Sequence, residues 1–200
     1  MAQAPLVLKV GGSLLESGRL ARVLSIVAKR TRPVVLVPGG GKFADEVRRS
    51  QAEHGFDDDA AHRLALFAMH QMANVIATRS PHFVPASSRE EIGAVGASGL
   101  IPVWLPAAMA GEDQAIPKTW DMTSDSLAAW LAARIGAPDV ALVKSCVVEP
   151  IATLEELGAA GIVDPLFETY VRRHRLHWSV IGEGEERRLH QLVAPDGGTN

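Results

Sequence analysis

The chain has 200 residues, and its 20 Lys and Arg stand against 23 Asp and Glu, for a net charge of −3. This balance excludes a chain built mainly to bind nucleic acid, because no basic excess is present to neutralise phosphates. Hydrophobic residues make up 47% of the sequence, which is typical of a chain that buries a core.

The number of cysteines and the lengths of the apolar runs exclude further classes of protein. The single cysteine, Cys146, excludes an intrachain disulfide and any multi-cysteine metal site. No apolar run approaches the roughly 20 residues that cross a bilayer, and the opening segment MAQAPLVLKVGGSLL is interpreted as a strand rather than a signal peptide. We therefore expect a globular protein of a reducing, cytoplasmic compartment, with no membrane and no nucleic-acid partner.

Strands and helices alternate in the first half of the chain. The apolar patterns predict strands at Leu6–Val10, Val34–Val37 and Ile101–Leu105, and helices at Arg19–Arg30, Phe43–Glu53 and Asp57–Ala77. The segment Ser80–Ala97 scatters Pro, Ser and Gly among charges, and no element is predicted there.

The second half continues the alternation. Thr123-Ser124-Asp125 begins a helix that runs to Ile135, strands follow at Val140–Val143 and Leu176–Ile181, and a last helix covers Glu183–Leu192. Near-continuous apolar strands between helices are typical of βαβ units. The prediction is an α/β fold, a three-layer αβα sandwich around a mostly parallel sheet, with residues 1–200 forming a single domain of two lobes that meet near residue 115.

Two of the predicted strands end in glycine clusters. Lys9-Val10 leads into Gly11-Gly12, and Pro38 leads into Gly39-Gly40-Gly41 with Lys42 behind it. Consecutive glycines let backbone N–H groups converge on one ligand, and the helix that follows each cluster adds partial positive charge. Neither cluster has the spacing of a P-loop or of a dinucleotide fingerprint. The alternative is that the glycines only make tight turns, but two such clusters with adjacent lysines favour a phosphate site.

Five segments carry a family resemblance. LKVGGSLL, VPGGGKFAD and WDMTSDSLAAWLA resemble the amino acid kinase superfamily and stand in its order, and ALVKS and VIGEGEERRLHQL with the closing Gly-Gly-Thr are similar to it as well. VPGGGKFAD and AHRLALFAMHQMA look most like the small aminomethylfuran-phosphate kinases within that superfamily. Pro38 stands where isopentenyl phosphate kinases would carry a histidine, which disfavours that branch.

The resemblance implies an ATP-dependent kinase that acts on a small phosphate monoester. The resemblance most favours [5-(aminomethyl)furan-3-yl]methyl phosphate as the acceptor, which such kinases convert to its diphosphate on the route to methanofuran-type C1 carriers. A uridylate (UMP) kinase-like enzyme is the first alternative, and a non-catalytic, molybdate-type storage protein on the same fold is the second. The resemblance also implies an acceptor-side lobe to about residue 115, a nucleotide-side lobe from about residue 116, and a homo-oligomer.

Phosphoryl transfer requires alignment and positive charge rather than covalent help. The expected catalytic residues are Lys9, between donor and acceptor, Lys144, at the donor phosphates, and Asp125, which holds both lysines. Mg²⁺ would arrive with ATP, because no protein metal site is evident. The alternatives are that Lys9 is an edge-strand charge, that Asp125 is only a helix cap and that Lys144 is a surface residue.

The remaining candidate residues divide between acceptor and nucleotide. The predicted phosphate- and substrate-binding residues are Gly11, Gly12, Ser13, Gly39, Gly40, Gly41, Asp45, Asp59 and His62. Asp45, ranked first, or Asp59 would pair with a cationic amine, although Asp57–Asp59 could also be a solvated helix end. The predicted nucleotide-binding residues are Thr123, Ser124, Lys144, Ser145 and Asp164. Asp164 is included because the nucleotide hairpin that the resemblance implies after Lys144 is missing, so that the nucleotide would be held differently.

Overall fold

A computed structural model describes residues 3–195. In chain order its elements are β1 (Leu6–Val10), α1 (Ser13–Glu16), α2 (Leu20–Val27), β2 (Val34–Pro38), α3 (Gly41–His54), α4 (Asp58–Ala77), β3 (Phe83–Ala86), α5 (Arg89–Ala97), β4 (Ile101–Trp104), α6 (Pro106–Gly111), α7 (Ser124–Ile135), β5 (Asp139–Val143), α8 (Leu154–Ala159), α9 (Phe167–His174), β6 (His177–Ile181) and α10 (Glu186–Val193).

The six strands form one sheet in the order β3-β4-β2-β1-β5-β6, and every pair is parallel. Helices cover both faces, which confirms the predicted αβα sandwich. The central strand β1 sets Lys9 opposite Val37 on one side and opposite Leu142 on the other. The carboxyl ends of β1, β2 and β5 therefore meet at one edge, where ligands bind in parallel α/β sheets.

Strand alternation gives each face of the sheet its own core. Leu6, Leu8 and Val10 of β1 belong to the core that contains α2 and α10, whereas Val7 belongs to the core that contains α7 and α9. Because side chains alternate along a strand, Lys9 shares the α7 face with Val7. The same parity sets Lys144, which follows β5, on the face of Val140 and Leu142.

The structure corrects the interpretation of Ser80–Ala97 as a segment without regular elements. It contains β3, a four-residue edge strand with Pro85 inside it, and α5, which carries Gly93 and Gly96. Proline and internal glycines obscure the sequence pattern of such elements, but Ser88 caps α5 by accepting a hydrogen bond from the Glu91 N–H.

The predicted elements agree with the structure apart from shifts at their ends, whereas the helices α1, α6, α8 and α9 were not predicted. The helix predicted at Arg19–Arg30 covers Leu20–Val27, and the last helix begins at Glu186 rather than Glu183. The closing Gly-Gly-Thr at 197–199 lies outside the described residues. Within residues 3–195, no helix combines the length and apolar character that a bilayer crossing requires. The lobe boundary near residue 115 remains a prediction.

Candidate active site

Two lysines and one aspartate form a buried charge cluster at the carboxyl edge of the sheet. Asp125 lies in the first turn of α7 and is 3% exposed. Its Oδ1 lies 2.8 Å from the Nζ of Lys9, and its Oδ2 accepts a 2.5 Å hydrogen bond from the Nζ of Lys144. The three predicted catalytic residues therefore meet as expected, with the carboxylate between the two ammonium groups.

The cluster is short of negative charge. Burial is the main cause that lowers the pKa of Lys144 to about 8; the charge of Lys9 lowers it as well, while Asp125 opposes both. Burial pushes the pKa of Asp125 upward, but the charges of Lys9 and Lys144 outweigh burial and hold that pKa below its usual range. With all three groups ionised, the cluster itself bears one net positive charge, which Asp164 opposes only as the smallest of the charge effects on Lys144, and an anion bound above the lysines would offset it.

The two glycine turns interlock directly beside this cluster. A Cβ added to Gly12 would lie 2.2 Å from the backbone N and Cα of Gly41, and one added to Gly39 would lie 2.7 Å from the Gly12 N. The backbones approach so closely that only glycine fits at Gly12 and Gly39. Gly41 adopts a φ of +54°, which also favours glycine. The turns thus form one continuous backbone surface rather than two separate loops.

A cavity of about 300 Å³ lies over the turns and the lysines. Most of the predicted site residues line it: Lys9, Gly11, Gly12, Ser13, Gly39, Gly40, Gly41, Asp45, His62, Thr123, Ser124, Lys144 and Ser145. Asp125 lies beneath the lysines and does not line the cavity. The structure therefore brings most of the predicted site residues together around one cavity.

His62 supplies a buried polar atom to an apolar part of the cavity. It is 7% exposed, and its Nε2 has no hydrogen-bond partner among residues 3–195. Leu66, Met69 and Met122 line the same cavity. Burial, followed by the charge of Lys118, lowers the pKa of His62, so the imidazole is neutral at neutral pH. A buried polar atom without a partner is costly in a folded protein, and a ligand that enters the cavity can satisfy it.

An arginine and a tryptophan that were not predicted to pair lie together in the lining of the cavity. The Arg48 guanidinium lies 4.2 Å from the ring centroid of Trp120, whose Nε1 donates a 2.7 Å hydrogen bond to Oε1 of Gln51. Gln51 in turn donates to Oδ1 of Asp58, which lines the cavity together with Arg48 and Trp120. These contacts fasten the segment before α7 to α3.

Two predicted residues have other roles in the structure. Asp59 does not line the cavity and pairs instead with Arg63 and Lys118, so its charge is already matched. Asp164, predicted to bind nucleotide, accepts hydrogen bonds from the backbone N–H groups of Thr123 (2.9 Å) and Ser126 (3.0 Å) and from both hydroxyls. It caps α7 from a distant loop, because the side chain of Thr123 makes no cap of its own.

Comparison with known proteins agrees with this geometry. The model of the "Amino acid kinase family" matches residues 4–146, which include both glycine turns and the whole charge cluster. The chain belongs to the amino acid kinase family. A curated relative, the [5-(aminomethyl)furan-3-yl]methyl phosphate kinase of Methanocaldococcus jannaschii, is 27% identical over 139 residues. That match covers 62% of this chain and 58% of the relative, so it spans less than two thirds of the relative's length.

Solved structures extend the likeness to nearly the whole chain of this family member. The uridylate kinase of Archaeoglobus fulgidus has a TM-score of 0.66 at 20% identity, with 94% of both chains covered. The UMP kinase of Bacillus anthracis has a TM-score of 0.67 at 14% identity, covering 96% of this chain and 93% of its own. An isopentenyl phosphate kinase has a TM-score of 0.63 at 13% identity and covers 96% of both. At such identities the likeness establishes the fold.

Proposed function

We propose that this chain is an ATP-dependent kinase that transfers a phosphoryl group to a small phosphate monoester. The observation that carries the proposal is the Lys9–Asp125–Lys144 cluster beneath two interlocked glycine turns. The net positive charge of the cluster and the close-packed glycine backbone suit the equatorial oxygens of a phosphoryl group during transfer. The Gly11 and Gly39 N–H groups donate to the Val143 and Val10 carbonyls, so the other N–H groups of the turns would bind the phosphoryl oxygens.

The residues of the cluster divide the work between them. Lys9, on the central strand, neutralises oxygens shared by donor and acceptor, and Lys144 supports the donor phosphates. Asp125 holds both ammonium groups and thereby fixes the distance between them. The reaction forms a bond between an acceptor phosphate oxygen and the γ-phosphorus and breaks the bond from that phosphorus to the β,γ-bridging oxygen, which leaves as ADP.

A phosphate acceptor explains why the charge cluster can work without a general base. An ionised phosphate oxygen is already a nucleophile at neutral pH, so no proton has to be removed. Around the phosphoryl group the cavity presents lysines and backbone N–H groups, and its carboxylates Asp45 and Asp58 lie on α3 and α4. Mg²⁺ would be carried by the ATP phosphates, since Asp125 is fully engaged by two lysines.

For the acceptor itself we propose [5-(aminomethyl)furan-3-yl]methyl phosphate or a close analogue. The name of the curated relative supplies the candidate, and the cavity offers chemistry that suits it. Asp58 and Asp45 can balance an ammonium group, although Asp45 is largely exposed and its Oδ1 lies 3.7 Å from Nη1 of Arg48. The neutral Nε2 of His62 can accept a hydrogen bond from the ammonium group when the imidazole proton lies on Nδ1. The apolar stretch along Leu66 and Met69 can receive the ring.

Thr123, Ser124 and Ser145 are proposed to contact the donor nucleotide. All three line the cavity near Lys144, and the hydroxyl oxygens of Ser13 and Ser145 lie 2.8 Å apart, which links the two strand ends. Homo-oligomerisation, expected from the resemblance, stays a proposal that light scattering would test.

A panel of acceptors tests the proposed function. Purified protein is incubated with ATP, Mg²⁺ and the aminomethylfuran phosphate, UMP or isopentenyl phosphate, and the product is identified by ³¹P NMR as a diphosphate. We expect the furan phosphate to give the highest kcat/KM. Asp45→Asn and Asp58→Asn should raise its KM, while the matched Asp59→Asn variant, altered outside the cavity, should not.

Other outcomes point to other functions. Turnover of UMP without turnover of the furan phosphate would move the assignment to a nucleotide monophosphate kinase. If no acceptor is phosphorylated but molybdate binds tightly, the kinase proposal is wrong and the storage alternative gains support.

A further inference from the structure

One arginine outside the cavity holds three parts of the carboxyl edge together. Arg19 directly precedes α2, and its Nη1 donates a 3.2 Å hydrogen bond to the backbone carbonyl of Lys144. Its Nη2 donates to the backbone carbonyl of Gly182 at 3.3 Å and to Oε1 of Glu186 at 3.1 Å. The guanidinium thus joins the ends of β5 and β6 to the first turn of α10.

Arg19 is partly buried and its charge is balanced. The side chain is 14% exposed and its carboxylate partner Glu186 is 17% exposed, so the ion pair is well shielded from solvent. Arg22, one turn later, also approaches Glu186, but at 3.9 Å and with 70% of its side chain exposed. Two neighbouring arginines therefore share one carboxylate, and only Arg19 donates to the backbone carbonyl of the lysine.

The Lys144 backbone is anchored on both of its sides. Its N–H donates a 2.9 Å hydrogen bond to the carbonyl of Ile181, and its own carbonyl accepts from Arg19. Beyond it, Cys146 and Val148 pack so closely on Gly182 that a Cβ there would lie 2.7 Å from the Val148 N. Arg19 donates to the carbonyls of both Lys144 and Gly182, so it joins the two segments that meet in this contact.

We propose that Arg19 is a positioning residue, which fixes the backbone of Lys144 and so places its ammonium group between Asp125 and the donor phosphates. The role is additional to the proposed phosphoryl transfer and rests on it for its catalytic meaning. Arg19 does not line the cavity and touches no reacting atom. A misplacement of about 1 Å at a reacting group costs on the order of 100-fold in rate, so the anchor has a measurable effect.

Loss of the anchor also changes the environment of the Lys144 ammonium group. The charged groups that face it are Lys9 on β1, Asp125 on α7 and Asp164 in the loop before α9. A less constrained Lys144 gains water, and because burial is the main cause of its lowered pKa, that pKa moves up from about 8 toward its ordinary 10.5.

The test compares Arg19→Gln with Arg22→Gln, which removes a guanidinium near the same carboxylate but no bond to Lys144. Arg19→Lys keeps the charge and one donor, and Glu186→Gln removes only the carboxylate. Two quantities are measured on each full-length variant: kcat/KM for ATP, and the pH dependence of the rate at which a small acylating reagent labels Lys144, read by peptide mass spectrometry. Thermal unfolding checks that each variant is folded.

We expect Arg19→Gln to lower kcat/KM for ATP about 100-fold and to move the labelling midpoint of Lys144 upward, with partial recovery in Arg19→Lys. Arg22→Gln should match wild type in both. Equal behaviour of Arg19→Gln and Arg22→Gln would overturn the proposal, and if Arg19→Gln does not fold, an unchanged labelling midpoint in Arg19→Lys would do so. If the wild type phosphorylates nothing, the proposed function fails, and the labelling comparison still decides the role of Arg19.

Discussion

Replacement of Lys144 by methionine should make the protein more stable at neutral pH while abolishing its proposed activity. Lys144 is buried beside another lysine, and its pKa is lowered from 10.5 to about 8. Below about pH 8 it is protonated in both the folded and the unfolded chain, and the folded state bears the full cost of a buried charge. Methionine retains most of the volume and removes the charge.

The magnitude follows from the pKa displacement. At about 1.4 kcal/mol per pH unit, a change from 10.5 to about 8 corresponds to about 3 kcal/mol. Between those two values the unfolded chain binds a proton that the folded chain does not, so the contribution of Lys144 to the free energy of unfolding rises with pH. The free energy of unfolding of Lys144→Met should therefore be about 2 to 3 kcal/mol higher than that of wild type at pH 7, and most of this difference should disappear by pH 10.

Urea unfolding at several pH values between 7 and 10 measures this difference, with Lys29→Met as the control. Lys29 is exposed just after α2, so its replacement should leave the stability and its pH dependence as in wild type. The reasoning is refuted if Lys144→Met is less stable than wild type at pH 7, or if its stability follows pH as that of wild type does.

Three further substitutions test other parts of the structure. Gly12→Ala, whose Cβ would meet Gly41 at 2.2 Å, should lower ATP affinity at least tenfold by calorimetry or prevent folding, whereas Gly93→Ala in α5, with open space, should gain about 0.5 to 1 kcal/mol. Asp164→Asn should lower the free energy of unfolding by about 2 kcal/mol, because it removes the anionic cap of α7. The control Asp121→Asn, at an exposed position, should lower it by less than about 0.5 kcal/mol. An altered nucleotide affinity of Asp164→Asn at unchanged stability would instead indicate that Asp164 binds nucleotide. Trp120→Phe keeps a ring under Arg48 but loses the hydrogen bond to Gln51, so steady-state kinetics should show a higher acceptor KM and an unchanged KM for ATP.

The positions of the glycine turns and of the charge cluster were predictable because their signals are local. A lysine at the end of an apolar strand stands out in LVLKV, and a glycine cluster directly after a strand is typical of a turn that binds an anion. Strand parity then determines the face on which Lys9 and Lys144 lie, which is also the face of α7. The helix-capping segment Thr123-Ser124-Asp125 located the aspartate correctly, although sequence reasoning assigned the cap to those residues themselves.

The remaining contacts join segments that lie far apart in the sequence, and no hydrophobic periodicity predicts which of them pair. Asp164 reaches Thr123 across 41 residues, and Trp120 reaches Gln51 across 69. Arg19 looked like an ordinary helix start, yet its guanidinium bonds to a carbonyl 125 residues away. The sequence suggested that Asp164 contacts a ligand, because it follows the position where the nucleotide hairpin is missing. In the structure Asp164 instead accepts hydrogen bonds from the N–H groups at the start of α7, which have no partner within the helix.

The pairing of β1 with β5 has a consequence for how the protein folds. β1 meets β2 after a short excursion of the chain, from Leu6 to Val34, but meets β5 only when Leu6 closes on Asp139. Long-range closures lose more chain entropy and generally come later, and during synthesis the amino-terminal part is free to fold first. The two glycine turns can therefore meet on a nascent chain. The charge cluster is complete only when residue 144 has emerged and Lys144 has docked beside Asp125. A chain stalled before residue 144 would therefore lack the second ammonium group of the charge cluster.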